Sequence, residues 1–473
     1  MRTPAEADDF IRGLGLWDAT AVVAGSMIGS GVFIVSADIA RQLDAPAWLL
    51  GAWILTALLT VVGALSYGEL AAMMPHAGGQ YVYLREAYGP LAGFLYGWTL
   101  FTVIQTGTIA AVAVAFAKFA AVLLPGLDAQ WHAGPLPLSA QQCLAIVVIA
   151  LLSGANCNGL HTGRWVQNVF TATKVGSLVI LVAFGLLIGH QATVIDVNLR
   201  GFWGNGFSWR LLPVFGAALV GALFSSDAWN NITFASAEVR NPSRTIPLSL
   251  ALGTILVSAL YLAANLVYLG ALPLHGDPAG ATVAARGIEF ATSDRVATAA
   301  MEASLGPAGA IVMAIAIMIS TFGCVNGIVL AGARVYYAMA RDGLFFEVTG
   351  YLNTRRVPAA ALVLQGLWAA ALTLSGTYGD LLDYVIFAAL LFYALTAGAI
   401  FVLRRKQPNT PRPYRALGYP VLPGLYIAVS SLIMLDLLIV KPRYTWPGLL
   451  IVASGVPVYY LWRALRQREA RPR

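Results

Sequence analysis

Charge is scarce in this 473-residue chain, with 29 Lys and Arg and 22 Asp and Glu making up 11% of it, against about 25% in soluble domains. Cysteine is scarcer still. Cys143, Cys157 and Cys324 are odd in number and far apart, which argues against a disulfide framework and against a thiolate cluster. The five histidines never recur at i,i+4, so no helix face carries a pair of metal ligands, and neither a metal nor another cofactor is expected. The net charge of +7 brings no Lys/Arg-rich run interleaved with aromatics, so nucleic acid is not an expected partner. No paired carboxylates or nucleophile–base set lies within the apolar runs, which argues against an enzyme. What the chain has is apolar length: 59% of its residues are hydrophobic, against about 45–50% in soluble domains. It reads as an all-α integral membrane protein with room for about twelve spans of about 20 residues, and the bilayer is its first partner.

Apolar runs between charged or Pro/Gly-rich breaks place spans near 16–43, 47–74, 89–124, 138–153, 164–189, 209–237, 247–272, 306–333, 358–376, 381–403, 418–440 and 446–463. The segment 1–15 is polar for too long to be a signal peptide, so the first span is expected to be retained. An even number of spans puts 1–15 and the tail 464–473 on one side. That side collects about 20 of the Lys and Arg against about 7 opposite, so the termini are expected in the cytoplasm and the protein in the plasma or inner membrane. The clusters responsible are "RNPSR" (240–244), Arg355–Arg356, "RRKQPNTPRPYR" (404–415) and the tail.

Two spans are interrupted. The first carries "GSMIGSG" (25–31); the sixth carries "FSSDAWNN" (224–231), with two serines, an aspartate and two asparagines in eight residues. Breaking a helix inside the membrane frees N–H and C=O groups that cost several kcal/mol each unless something polar meets them. A ligand can do so: the start of a half-helix offers N–H groups to a carboxylate, and the end of the preceding half offers carbonyls to an ammonium. The two breaks correspond if spans one to five (16–189) repeat as spans six to ten (209–403), with 418–463 added. Gly25-x-x-x-Gly29 read alone also fits helix packing, and the Gly/Ser run lacks the lysine of a phosphate loop.

Four stretches resemble the amino acid–polyamine–organocation superfamily of transporters, and most closely its L-type amino acid transporter branch. They are "GSMIGSGVF", "SYGELAAMMPHAGGQYVYLREAYGPLAGFLYGW" (66–98), "FSSDAWNNITFASAEVRNPSRTIP" and "TFGCVNGIVLAGARVYYAMARDG". The resemblance implies a LeuT-like 5+5 inverted repeat with two additional C-terminal helices, twelve spans in all, working by alternating access on a small-molecule amino acid. It implies sodium-independent exchange of neutral amino acids, with proton symport or carriage of polyamines or cationic amino acids as alternatives; a channel or an amino acid sensor is the reading from a different class. Gly29, Ser30 and Gly31 would hold the substrate carboxylate. Carbonyls of Met27, Phe224, Ser225 and Asp227 would receive its ammonium, the Phe224 ring would gate the site from outside, and Trp229 and Asn230 would brace the second break. Eukaryotic members pair with a single-span glycoprotein; no stretch of this chain demands such a partner.

Several polar residues in the spans carry open readings. Asp227 either selects a cationic side chain or caps a half-helix. "VIFAALLFYAL" in the tenth span predicts a largely apolar side-chain pocket. Lys118 is placed to snorkel, Gln105 to line the path or bond a neighbouring helix, Asn326 and Cys324 to face the site, and Glu238 with Arg164 to form part of an inner gate. Lys174 lies about 16 Å into span five, too deep for easy snorkelling. By the resemblance its ammonium takes the place of a sodium ion between spans one, five and eight, which makes it the candidate coupling residue, for protons included; a fixed structural clamp is the alternative.

Overall fold

A computed structural model describes residues 12–128, 130–133, 136–158, 160–374 and 378–469, with side chains described except at 128–138, 160–168 and 465–469. The first half contains α1 (Leu16–Met27), α2 (Val35–Leu43), α3 (Pro46–Met73), α4 (Gln80–Tyr88), α5 (Pro90–Thr99), α6 (Gln105–Leu123), α7 (Ala140–Asn156), α8 (Leu160–Phe184) and α9 (Ala192–Arg200). The second contains α10 (Leu211–Ser225), α11 (Asn231–Phe234), α12 (Pro242–Ala271), α13 (Val283–Arg286), α14 (Val296–Leu305), α15 (Pro307–Arg341), α16 (Ala359–Thr373), α17 (Tyr378–Lys406), α18 (Val421–Val440) and α19 (Pro442–Glu469). Seven helices among the described residues are long and apolar enough to cross a membrane. The exception to an all-helical fold is a short hairpin that pairs Gln130–Ala133 with Leu136–Ser139.

Local chemistry sets the ends. Proline stands at the first turn of α3, α5, α12 and α15, where its missing N–H costs nothing. A π-helical turn, Leu100–Ile104, joins α5 to α6 into one rod over Pro90–Leu123, and an apolar 18-residue stretch of it is 89% buried, which sets this rod inside the bundle. α1 packs on α8, α12 and α15, α2 on α10, α3 on α12, and α6 on α15 and α17.

The apolar runs of the sequence match these helices closely. α15 extends to Arg341, well beyond the expected 333, and α12 begins at Pro242, inside the basic "RNPSR" cluster. The stretch 273–305 holds an apolar helix, α14, packed on α12 and α15. Both expected interruptions are present. α1 stops at Met27 and α2 begins at Val35; α10 stops at Ser225 and α11 begins at Asn231.

Candidate functional site

The two interruptions face each other. In the first, Gly29 N–H folds back to the Met27 carbonyl at 2.8 Å, and among the described residues the N–H groups of Ser30 and Gly31 donate to no acceptor. In the second, Ala228 takes a left-handed conformation, φ 64°, which turns the chain between the two half-helices at a cost of about 1–2 kcal/mol for a residue with a Cβ. Met27, Gly29, Ser30, Gly31, Phe224, Ser225 and Asp227 all border one cavity of about 10 Å³. That volume holds about one water, so a larger ligand requires the breaks to part. Asn230 stands one step away, donating to Gln80 Oε1 at 2.9 Å, while Gln80 donates to Thr396 at 3.0 Å. Trp229 packs edge-on to Tyr67, ring centroids 4.7 Å apart, and also lies against Tyr393. Both residues sit as braces of the second break.

Gly31 is a glycine because the breaks touch. A Cβ there would overlap Ser225 Oγ and stand 2.6 Å from Ser225 Cβ and 2.8 Å from its Cα, so the close approach is to protein. Gly79 does similar work for the Pro-x-x-Gly-Gly run: with φ 45°, its Cβ would lie 2.7 Å from the Thr233 carbonyl oxygen, which seats the 74–79 loop on the end of the second broken span.

Lys174 is fully buried, and its ammonium donates to the carbonyls of Gly25 and, at 3.2 Å, of Ile28. These carbonyls end α1, where the helix dipole is negative. From α15, Ser320 hydroxyl reaches the Ile28 and Gly29 carbonyls, both at 3.3 Å, and Cys324 thiol reaches Ser26 carbonyl at 3.2 Å. Lys174 thus stands where α1, α8 and α15 meet. Asn326 points elsewhere, accepting from Asn156 of α7 at 2.8 Å, and Gln105 donates to the Ile328 carbonyl at 2.7 Å, a helix–helix bond.

Three tyrosines that the sequence did not single out complete the site. Tyr261 of α12 points its hydroxyl at both Met27 O, 2.9 Å, and Ser225 O, 3.1 Å, bridging the breaks. Tyr393 donates to the Asp227 carboxylate, so the tenth-span stretch expected to be largely apolar carries one polar group to the second break. Tyr378, at the start of α17, lies 3.0 Å from Ser30 Oγ and meets the Phe224 ring edge-to-face at 6.1 Å.

On the far side of Tyr378 opens a vestibule of about 810 Å³ lined by Asp38, Arg41, Lys118, Asp383 and Lys441 among others. Lys118 pairs there with Asp294 at 3.7 Å instead of merely snorkelling. The opposite face is shut. Glu238 meets Arg334 at 3.0 Å, both buried, and its carbonyl takes the N–H groups of Gly13 and Leu14 at 2.9 and 3.0 Å. Tyr81 and Arg85 both bond Asp342. Arg164, the other residue expected at the inner gate, has its side chain outside the described residues. Phe224→Leu keeps apolar volume but loses the edge-to-face contact, worth about 0.5–1.5 kcal/mol. If Phe224 gates the site as the resemblance implies, initial uptake of labelled substrate should fall about 2- to 10-fold at equal membrane level, and unchanged kinetics would count against that role.

Two broken helices that bring backbone ends, Ser30, Ser225 and Asp227 to one small cavity, between an open vestibule and a closed face, are the arrangement of a membrane transporter. The chain belongs to the amino acid permease family, which it matches over residues 14–460. It is similar to the human b(0,+)-type amino acid transporter 1, 30% identical over 456 residues, covering 95% of this chain and 87% of that protein. The mouse large neutral amino acids transporter small subunit 2 is 29% identical over 450 residues, covering 95% of this chain and 80% of the relative. The family and these relatives are transporters of amino acids, not enzymes.

Proposed function

We propose that this protein is a sodium-independent amino acid exchanger of the plasma or inner membrane, working by alternating access on a twelve-span, 5+5 inverted-repeat scaffold with cytoplasmic termini. The observation that carries the reading is the pairing of opposite helix ends around one cavity. Free N–H groups at Ser30 and Gly31 suit a carboxylate, and the carbonyls of Met27 and Ser225 suit an ammonium. A zwitterion fits both. In this assignment the vestibule faces outside, and Phe224, Tyr378 and Ser30 close over the substrate. The Glu238–Arg334 pair and the Tyr81–Asp342–Arg85 group then seal the cytoplasmic side. Lys174 supplies a fixed positive charge to the end of α1, which removes the need for a sodium ion there.

The test is reconstitution of the single purified chain in liposomes with a panel of labelled amino acids. Uptake should require amino acid inside and should ignore replacement of sodium by choline. Sodium-driven uptake into empty vesicles, or conductance that does not saturate, would overturn the reading.

A second reading, carriage of cationic amino acids, is favoured by the surroundings of Asp227. Its carboxylate is buried and accepts from the neutral Tyr393 hydroxyl, so its charge is available to a second positive group on a substrate. Asp227→Asn keeps an acceptor for Tyr393 and removes the charge. Competition assays should then show arginine and lysine weakened at least about tenfold, the scale of one charged hydrogen bond, with alanine and leucine retained. An equal loss for both classes would make Asp227 a brace of the break.

A further inference from the structure

Away from the breaks, distant chain segments bring an imidazole and two carboxylates together beside the vestibule. Asp44 closes α2 in a left-handed conformation, φ 52°, while His275 and Glu289 come from the stretch between α12 and α14. His275 Nδ1 lies 3.2 Å from Glu289 Oε1 and 3.4 Å from Asp44 Oδ1, and the three ligand atoms all fall within 4.8 Å of one another. Backbone contacts fix two of the three. The N–H groups of Ile288 and Glu289 donate to the Pro273 and Leu274 carbonyls at 2.9 and 3.2 Å, and a Cβ on Gly287 would stand 2.6 Å from the His275 carbonyl oxygen. Glu289 is only 8% exposed, yet its carboxylate meets the imidazole and not the neighbouring guanidinium. Arg41 gives its Nη1 to the Glu289 backbone carbonyl at 2.6 Å and to Asp294 at 2.8 Å.

We propose that Asp44, His275 and Glu289 form a binding site for a divalent transition-metal ion of the zinc type. Zinc binds imidazole nitrogen and carboxylate oxygen at about 2.0–2.2 Å, which sets the edges of its tetrahedron at about 3.3–3.5 Å. The two separations from the imidazole, 3.2 and 3.4 Å, are already of that size. Two carboxylates balance the double positive charge, and the nitrogen ligand favours zinc over calcium or magnesium, which take oxygen. Asp44 and His275 are both exposed, so the fourth position opens to solvent. The absence of a helical histidine pair hides such a site from the sequence, because its ligands are joined only by the fold. A bound ion ties the end of α2, the half-helix that follows the first break, to the stretch carrying Asp294 at the vestibule. On the proposed alternating-access function, such a tie restrains any movement of that half-helix relative to the vestibule.

The test uses the full chain in detergent, freed of any affinity tag, titrated with zinc chloride by calorimetry and by competition with a chromophoric chelator. One zinc ion per chain is expected. His275→Ala and Asp44→Asn, both surface changes, should each weaken binding at least about tenfold and abolish the zinc-induced rise in melting temperature, while melting as the parent does in EDTA. Excess magnesium should not displace the ion. Binding without one-to-one stoichiometry, displacement by magnesium, or an affinity unchanged in His275→Ala would overturn the site.

Discussion

Lys174→Ala should lower uptake about 10- to 100-fold while the protein remains in the membrane. The ammonium donates to the Gly25 and Ile28 carbonyls at the negative end of α1. A hydrogen bond from a charged donor contributes about 1.5–3 kcal/mol, and 1.4 kcal/mol is a factor of ten. Ser320 also reaches Ile28 O and offers partial cover, which keeps the loss below the sum of two such bonds. The fold should survive because burying an ammonium costs several kcal/mol, a cost that alanine removes along with the bonds. Uptake by the parent and by the variant, measured in sodium and in choline at matched membrane levels, decides the matter. Full activity of the variant would reduce Lys174 to a dispensable clamp, and strong sodium stimulation of the parent would end the sodium-independent reading.

Gly31→Val should abolish transport by a different route. The first atom of the new side chain overlaps Ser225, and the clash with Ser225 Cα at 2.8 Å involves backbone that no rotamer can move. Overpacking of this kind costs about 1–3 kcal/mol, here concentrated on the contact that holds the two breaks in register. Gly31→Ala should already lose at least about tenfold in uptake. Adding Ser225→Gly should restore part of it, since that change removes Oγ and Cβ but leaves Cα. Ligand-induced thermal stabilisation of the purified protein separates loss of binding from loss of fold. Normal transport by Gly31→Val would place the substrate elsewhere.

The helices and both breaks were legible because each leaves a local mark: apolar length for the helix, clustered Gly, Ser, Asn and Asp for its interruption. Lys174 was legible for the same reason, as a charge deep in an apolar run. The reason for Gly31 was not. Its glycine serves a contact with a residue nearly two hundred positions away, and the sequence attributes that space equally well to a ligand. Tyr261, Tyr378 and Tyr393 were missed because a tyrosine in an apolar helix looks alike whether it faces lipid, core or cavity. Only the rotation of α12 and α17 against the breaks decides. The pairing of Gln130–Ala133 with Leu136–Ser139 falls between and across the edge of the apolar runs 89–124 and 138–153, too short to leave a mark in apolar length, and Asn326 turned to α7 through a helix rotation that a single sequence does not fix.

Tyr261 acts as a two-way latch. Its single hydroxyl proton lies between two carbonyl oxygens, Met27 O and Ser225 O, and can serve only one of them fully at a time. The two oxygens are not equal in this: Met27 O also accepts the Gly29 N–H at 2.8 Å, and so keeps a donor whichever way the tyrosine turns. Ser225 O depends on the tyrosine. On the proposed function an arriving ammonium brings its own donor to that oxygen, which frees the hydroxyl to turn to Met27 and lets the substrate loosen one break from the other without leaving either carbonyl bare.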